Sequence, residues 1–566
     1  MSTVHFARLL IPFGILASWM TGWSSVDYRS PEALQTWWQS HQDPAEWNKV
    51  LSDLASHLLA QFESQGEACF QENSEFMGQW NHGQWLAMHK GVPNDPNLQA
   101  AFIEIGQRPE VRDVFLAALD SRDHEKEALG IFLKLFHEEK DAFPRYGELA
   151  AAFAVVFDVP FPVNWPHHQV ARAQVPLGKE DPLERFRYYV ALNESRKTEY
   201  DLTELPVSKL IFVVDSVVDL AEFTWVQEKG KMKLSQLDRA FYAVQYDIHR
   251  MKKQTYDWPH QDYRLETILK EGGICVDQAY FAAQSGKAIG VPTLYFVGQG
   301  TDGGHAWFGY LKKKNDWDMD VGRYESQNYP VGHALNPQRW EYIKDTELVR
   351  YKKDAGLDPA VKAGREALRF IRMGRTPEQR IKIAECAIRL DSQNIDAWRW
   401  LASFHRDQKA TAELRSVLDR WILQFDKQID DKVEGQTLLL AVMQEQNDPA
   451  AEALRKSIQR ENRKKRFDIG IDSGASAVIE MLDAENWDGA ENEFRKLLRR
   501  FDDHGGGSLF YSLVEPYVLA CLEAGHQDRA LAGMKYAERR MSPARDSILE
   551  MEFQKLAAKL EKAAKL

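Results

Sequence analysis

Apolar residues return at spacings of three and four along most of this chain, the period of helices that bury one face. Up to about Phe161 the stretches "PEALQTWWQSHQ", "EWNKVLSDLASHLLAQF", "PEVRDVFLAALDS" and "KEALGIFLKLFHEE" all read this way, with Asp43, Asn94 and Pro109 marking starts or breaks. The pattern fails in "VPFPVNWPHHQVARAQVPLGKEDP", where Pro160, Pro162, Pro166, Pro176 and Pro182 exclude a regular helix and predict a connector. Beyond it, helical runs such as "LSQLDRAFYAVQYDIHRM" give way to short runs rich in β-branched and aromatic residues, "VPTLYFVGQG", "HAWFGYL" and "WDMDVGRY", which predict strands. Helical spacing returns past Leu357 and continues to the end.

The last helices repeat. Ala384, Ala387, Trp398, Leu401 and Ala402 in one stretch, and Gly525, Ala530, Met534 and Ala537 in another, recur at similar offsets around a short turn. They resemble tetratricopeptide helix pairs, in which small residues let paired helices approach, and arrays of this kind bind partners on a concave face. Between Lys409 and Ala475 the sequence departs from that period, which leaves a generic helical array open.

Length and charge narrow the picture. A chain of 566 residues exceeds the ~100 to 200 residues of one domain and predicts about three cores. The formal charge of -12 is spread along the chain, and the basic run "RKKRF" lies in helical context, so no nucleic-acid surface is expected. The four cysteines, Cys69, Cys275, Cys386 and Cys521, form no CxxC pair, and neither a zinc site, another cofactor nor a disulfide framework is expected. At the start, Arg8 precedes the apolar "LLIPFGILASWM", and Gly22 and Ser24 flank Trp23 as at a cleavage site. Residues 1–24 therefore predict an export signal, or a membrane tether if uncleaved.

Candidate chemistry is confined to one region. Cys275 opens a predicted helix after Gly272 and Gly273, where unpaired backbone N–H groups and the helix dipole lower a thiol pKa. Downstream, His305 begins a strand on which His305, Trp307 and Gly309 share one face. If Lys312 to Asn315 form a hairpin loop, Leu311 faces Asp316, Trp307 faces Asp320, and His305 faces Gly322. Asp320 then lies diagonal to His305, at a Cβ separation on the order of 7 Å. Thiol, imidazole and carboxylate together make an activated nucleophile. Gln245 and Trp258 are possible side-chain oxyanion donors beside the backbone N–H of Cys275, and Asp277 is expected to stabilise the helix N-terminus. "GQGTDGG" precedes a strand, not a helix, and is no phosphate loop; His249, His260 and His333 lack the strand context of His305.

The succession "GGICVDQAYFAAQSGKAIGVPT", "GGHAWFGYL" and "WDMDVGRY", over roughly Leu265 to Tyr324, resembles the transglutaminase-like core, in particular its bacterial members. The resemblance implies an α+β fold: a papain-like core with the Cys-bearing helix on a small antiparallel sheet, flanked by α-helical N-terminal and tetratricopeptide-like C-terminal regions. It also implies Cys275 as nucleophile, His305 as base and Asp320 as third member. The expected organisation is a helical domain over residues 25–160, a connector over 161–183, the core over 184–351 and the helical array over 358–566. The implied activity is acyl transfer on a protein or peptide amide through a thioester, with hydrolysis ahead of crosslinking because no acidic calcium loop or accompanying β-domain is visible. The alternative is a catalytically silent core in an interaction protein, with a protein partner on the C-terminal helices.

Overall fold

The computed structural model describes residues 44–563 apart from residues 121, 231, 353–357 and 504; the expected export signal and the helix over "PEALQTWWQSHQ" lie outside them. The protein is mixed α+β, with one five-stranded sheet among helices. Its strands are β1 (Thr293–Gln299), β2 (Gly304–Lys313), β3 (Asp316–Val321), β4 (His333–Leu335) and β5 (Tyr342–Lys344). They are ordered β3-β2-β1-β4-β5, and every neighbouring pair is antiparallel.

The N-terminal helices start where the local chemistry allows. Pro109 opens Pro109–Ala118, since its missing N–H is unneeded in a first turn. The expected break at Asn94 falls one residue later: Asp95 caps Pro96–Gly106 by accepting from the Asn97 and Leu98 amides. Phe161, Trp165, Val170 and Val175 of the connector are buried, and one apolar core runs continuously from Trp85 to Leu348 across it. The earliest helices belong to a second core. Phe62, Phe70, Phe76 and Trp80 surround Phe370 at ring-centroid distances of 5.1 to 5.7 Å, which ties them to the start of the C-terminal array.

The array is a succession of helices from Pro359–Phe370 to Ile548–Ala563. Its second half closes a third core between Phe467 and Leu560. Small residues do set the helix approach there: a Cβ on Gly533 would stand 2.7 Å from the Tyr517 ring. The stretch from Lys409 that departs from the tetratricopeptide period is helical, in Thr411–Gln424, Ile429–Glu445 and Ala451–Glu461. Among the described residues no helix is long and apolar enough to cross a membrane.

The β2–β3 hairpin differs from the expected one. Its turn is Lys314 and Asn315 alone, and Lys312 and Lys313 belong to β2. Irregularities between Phe308 and Tyr310 and between Leu311 and Lys313 shift the register, so that Leu311 faces Trp317, Tyr310 faces Asp318 and Phe308 faces Val321. Pairing stops at Val321, which leaves this edge of β2 without a strand partner from Gly304 to Trp307.

Candidate active site

The helix Cys275–Ala288 is buried along its whole length against β1 and β2. Its entrance requires glycine. Gly272 has φ +83°, and a Cβ there would lie 2.6 Å from the Gln245 carbonyl oxygen. The Gly273 amide donates to that same oxygen at 2.9 Å, and Asp247 N–H donates back to Gly273 O at 2.9 Å. The segment around Tyr246 is thereby strapped alongside the helix start, and the exposed Gln245 comes with it.

Asp277 is buried and fully partnered. Its Oδ2 accepts from the Ile274 amide at 2.8 Å and from Arg250 Nη1 at 2.6 Å, and its Oδ1 accepts from the Tyr263 hydroxyl at 2.7 Å. Because Tyr263 donates there, its oxygen accepts from His167 Nε2 at 2.8 Å, while the Gln169 amide donates to His167 Nδ1 at 3.3 Å. Burial holds His167 down to about 3, so this ring is neutral. Arg250 also donates to the carbonyls of Thr255 and Tyr256. Asp277 thus holds the helix start, as expected, and ties it to the Arg250 segment.

The Cys275 thiol differs from expectation. Burial pushes it up to about 11, and nearby Asp277 adds to the rise. The amide N–H groups of Ala306, Val276 and Cys275 favour the thiolate, but desolvation outweighs them. The Ala306 amide on β2 is the strongest of these N–H groups, so the thiol faces the start of that strand. Cys275 is 9% exposed.

His305 does share a face with Trp307, at a ring distance of 6.0 Å, and stacks on Tyr324 at 4.7 Å and Tyr329 at 5.5 Å. Its Nε2 lies 2.7 Å from the Gly322 carbonyl oxygen. A carbonyl only accepts, so Nε2 carries the hydrogen and Nδ1 is the basic nitrogen. Burial lowers the His305 pKa, against the pull of that carbonyl, and favours the neutral ring.

Asp320 is not brought to His305. Its side chain is 63% exposed and pairs with Arg323 Nη1 at 2.9 Å. The shifted register and the turn at Gly322, which has φ +88°, put a backbone carbonyl where the carboxylate was expected. Arg323 in turn binds Asp345 at 2.7 Å and lies over Trp307 at 5.0 Å. Trp258 is buried, and its Nε1–H already donates to Asp262 O at 2.7 Å. The Trp258 donor is thus engaged, whereas the Gln245 side chain is exposed.

Several groups here have no sequence signature. The Gly322 carbonyl and the Ala306 amide are backbone atoms, Tyr329 lies in a segment with no motif, and Tyr324 ends the run "WDMDVGRY", whose "VGRY" hints at a turn but not at a ring against His305. Tyr242, Tyr246, Ile248 and Tyr324 form exposed apolar surface on the segments beside Cys275 and His305. Among the described residues no group of three or more His, Cys, Asp or Glu could hold a metal ion. No known family model matches the chain, and no curated protein or solved structure matches it either.

Proposed function

We propose that the protein is a cysteine acyl-transfer enzyme of the transglutaminase-like, papain-like kind, with Cys275 as nucleophile and His305 as general base. The observation that carries this reading is the Ala306 amide acting on the Cys275 thiol, one residue along the strand from His305, whose basic nitrogen is Nδ1. A raised thiol and a neutral imidazole favour attack coupled to proton transfer over a pre-formed ion pair.

In the proposed sequence the thiol proton passes to His305 Nδ1 as the sulfur bonds to the amide carbonyl carbon. The Cys275 N–H and the Gln245 side-chain amide receive the developing oxyanion. His305 returns the proton to the departing amine as the C–N bond breaks, which leaves a thioester. Water or a second amine, deprotonated by His305, then releases the acyl group. The Gly322 carbonyl stabilises the transient imidazolium through Nε2–H. The acyl donor is a protein or peptide amide, hydrolysis is preferred to crosslinking, and export through residues 1–24 belongs to the same proposal.

The near-complete burial of Cys275 supports a second reading, a silent core that serves as a scaffold for partner binding on the C-terminal helices. Intact-mass spectrometry after incubation with denatured polypeptide separates the two. The enzyme reading expects an acyl adduct at Cys275 that hydroxylamine removes and that Cys275→Ala lacks. A folded protein that releases no amine and forms no adduct with any polypeptide tested favours the scaffold.

A further inference from the structure

Gly506 and Gly507, far from the candidate site in sequence, pack against the loop that leads into His305. The Gly507 amide donates to Gly300 O at 3.1 Å. A Cβ on Gly506, whose φ is +34°, would overlap the Thr301 carbonyl oxygen, and one on Gly507 would stand 2.9 Å from Gln299 Oε1. From the last helix, Ile548 closes on Gly303, where a Cβ would lie 2.9 Å from Ile548 Cγ2. On the loop's other side, Thr301 N–H donates to Gln327 O at 2.8 Å, and a Cβ on Gly300 would stand 2.5 Å from the Tyr329 ring. Tyr329 is the ring that stacks on His305 at 5.5 Å. The backbone contacts of this loop therefore fit the C-terminal array on one face and the support of His305 on the other, and only glycine admits so close an approach.

We infer that the C-terminal array is a positioning element of the Cys275/His305 site, with Gly506, Gly507 and Ile548 holding the Gln299–Gly304 loop and, through Gly300 and Tyr329, the His305 ring. This rests on the proposed role of His305. The array reaches the site at a second place as well, since Lys555 Nζ lies over the Tyr256 ring at 5.6 Å, and the Tyr256 carbonyl holds Arg250 against Asp277. Array and site form one unit by this account, so a ligand that pulled the array away would change the reactivity of the thiol.

The test uses the full chain with Gly506→Ala, the milder Ile548→Ala, and Leu531→Ala as a control at an exposed array position. Amide exchange over Gln299–Gly304 and the pH profile of iodoacetamide labelling at Cys275 are read by mass spectrometry. The expected result is exchange at least about tenfold faster in that loop for both variants, with a labelling profile displaced toward that of His305→Ala, and no change for Leu531→Ala. If the profile of both variants matches the parent while His305→Ala slows labelling, the positioning role is wrong and the role of His305 stands. If His305→Ala leaves labelling unchanged, the role of His305 falls and the positioning role with it, whatever the exchange shows. The Ile548→Ala variant keeps the test decisive should Gly506→Ala fail to fold.

Discussion

His305 donates its Nε2 hydrogen to the carbonyl oxygen of Gly322 at 2.7 Å, the position where the sequence pattern expects the Asp320 carboxylate. A backbone carbonyl fixes the tautomer and the ring plane as a carboxylate does, but it brings no full negative charge to an imidazolium. The base is therefore oriented strongly and charged weakly.

Asp320→Asn should accordingly leave Cys275 labelling essentially unchanged and cost no more than the ~0.2 to 1 kcal/mol of an exposed ion pair, read by thermal melting. A carboxylate that held the imidazole would instead be missed by about 10⁴-fold in rate. Such a loss for Asp320→Asn would show that the carboxylate swings onto His305 during the reaction.

The pH dependence follows from burial. The folded-state pKa of His305 is depressed, so its contribution to stability is present above the ~6.5 of a free imidazole and is lost as pH falls through the folded value. The base stays available below pH 6.5, and the thiol stays protonated up to about 11. Labelling at Cys275 should therefore hold a plateau from neutrality upward while neutral His305 takes the thiol proton, and rise again only as the thiol itself ionises towards about 11, which stopped-time alkylation at a series of pH values measures.

A second titration lies away from the site. Asp123 and Asp158 are raised by burial to about 7 and about 6, and each keeps one buried carboxylate oxygen without a partner. Raised carboxyls stabilise the fold below their unfolded value of 3.8 and lose that contribution as pH climbs through the folded values. Thermal melting should show the parent losing stability between about pH 4 and 7, and Asp123→Asn should flatten the slope. An unchanged slope in that variant would place the titration elsewhere.

Arg250 and Asp277 are both buried, so removing one partner strands a charge. Arg250→Met is expected to destabilise by ~3 to 5 kcal/mol in denaturant titration. Arg250→Lys should recover only part of this, because Arg250 also donates to Thr255 O and Tyr256 O through nitrogens that lysine lacks. Equal stability of the Met variant and the parent would mean that the Asp277 contacts with Tyr263 and Ile274 suffice.

Much of this fold is legible in the sequence, because local chemistry decides it. The glycines at 272 and 273 announce the helix entrance, β-branched and aromatic runs give β1 to β3, and alternation alone puts His305 and Trp307 on one face. The helix start marked at Pro109 is found and the one at Asn94 falls a residue later, whereas Pro182, read as connector, opens the helix Pro182–Glu194. What escapes is decided by geometry between segments. The irregularity between Phe308 and Tyr310 moves Asp320 away from His305, and no residue in "FGYLKKKND" marks it. The lowered thiol expected from the helix N-terminus fails for a similar reason, since desolvation by the surrounding fold is invisible in a local motif. The contact of Gly507 with Gly300 joins segments some two hundred residues apart and has no local signal.

The most direct test of the central claim is the rate of iodoacetamide labelling at Cys275 near pH 7.5 in the parent and in folded His305→Ala, read by mass spectrometry. A general base at the thiol predicts a loss of about 10²-fold or more in the variant. Equal rates in the two proteins would contradict the pairing of Cys275 with His305 and leave the scaffold reading in its place.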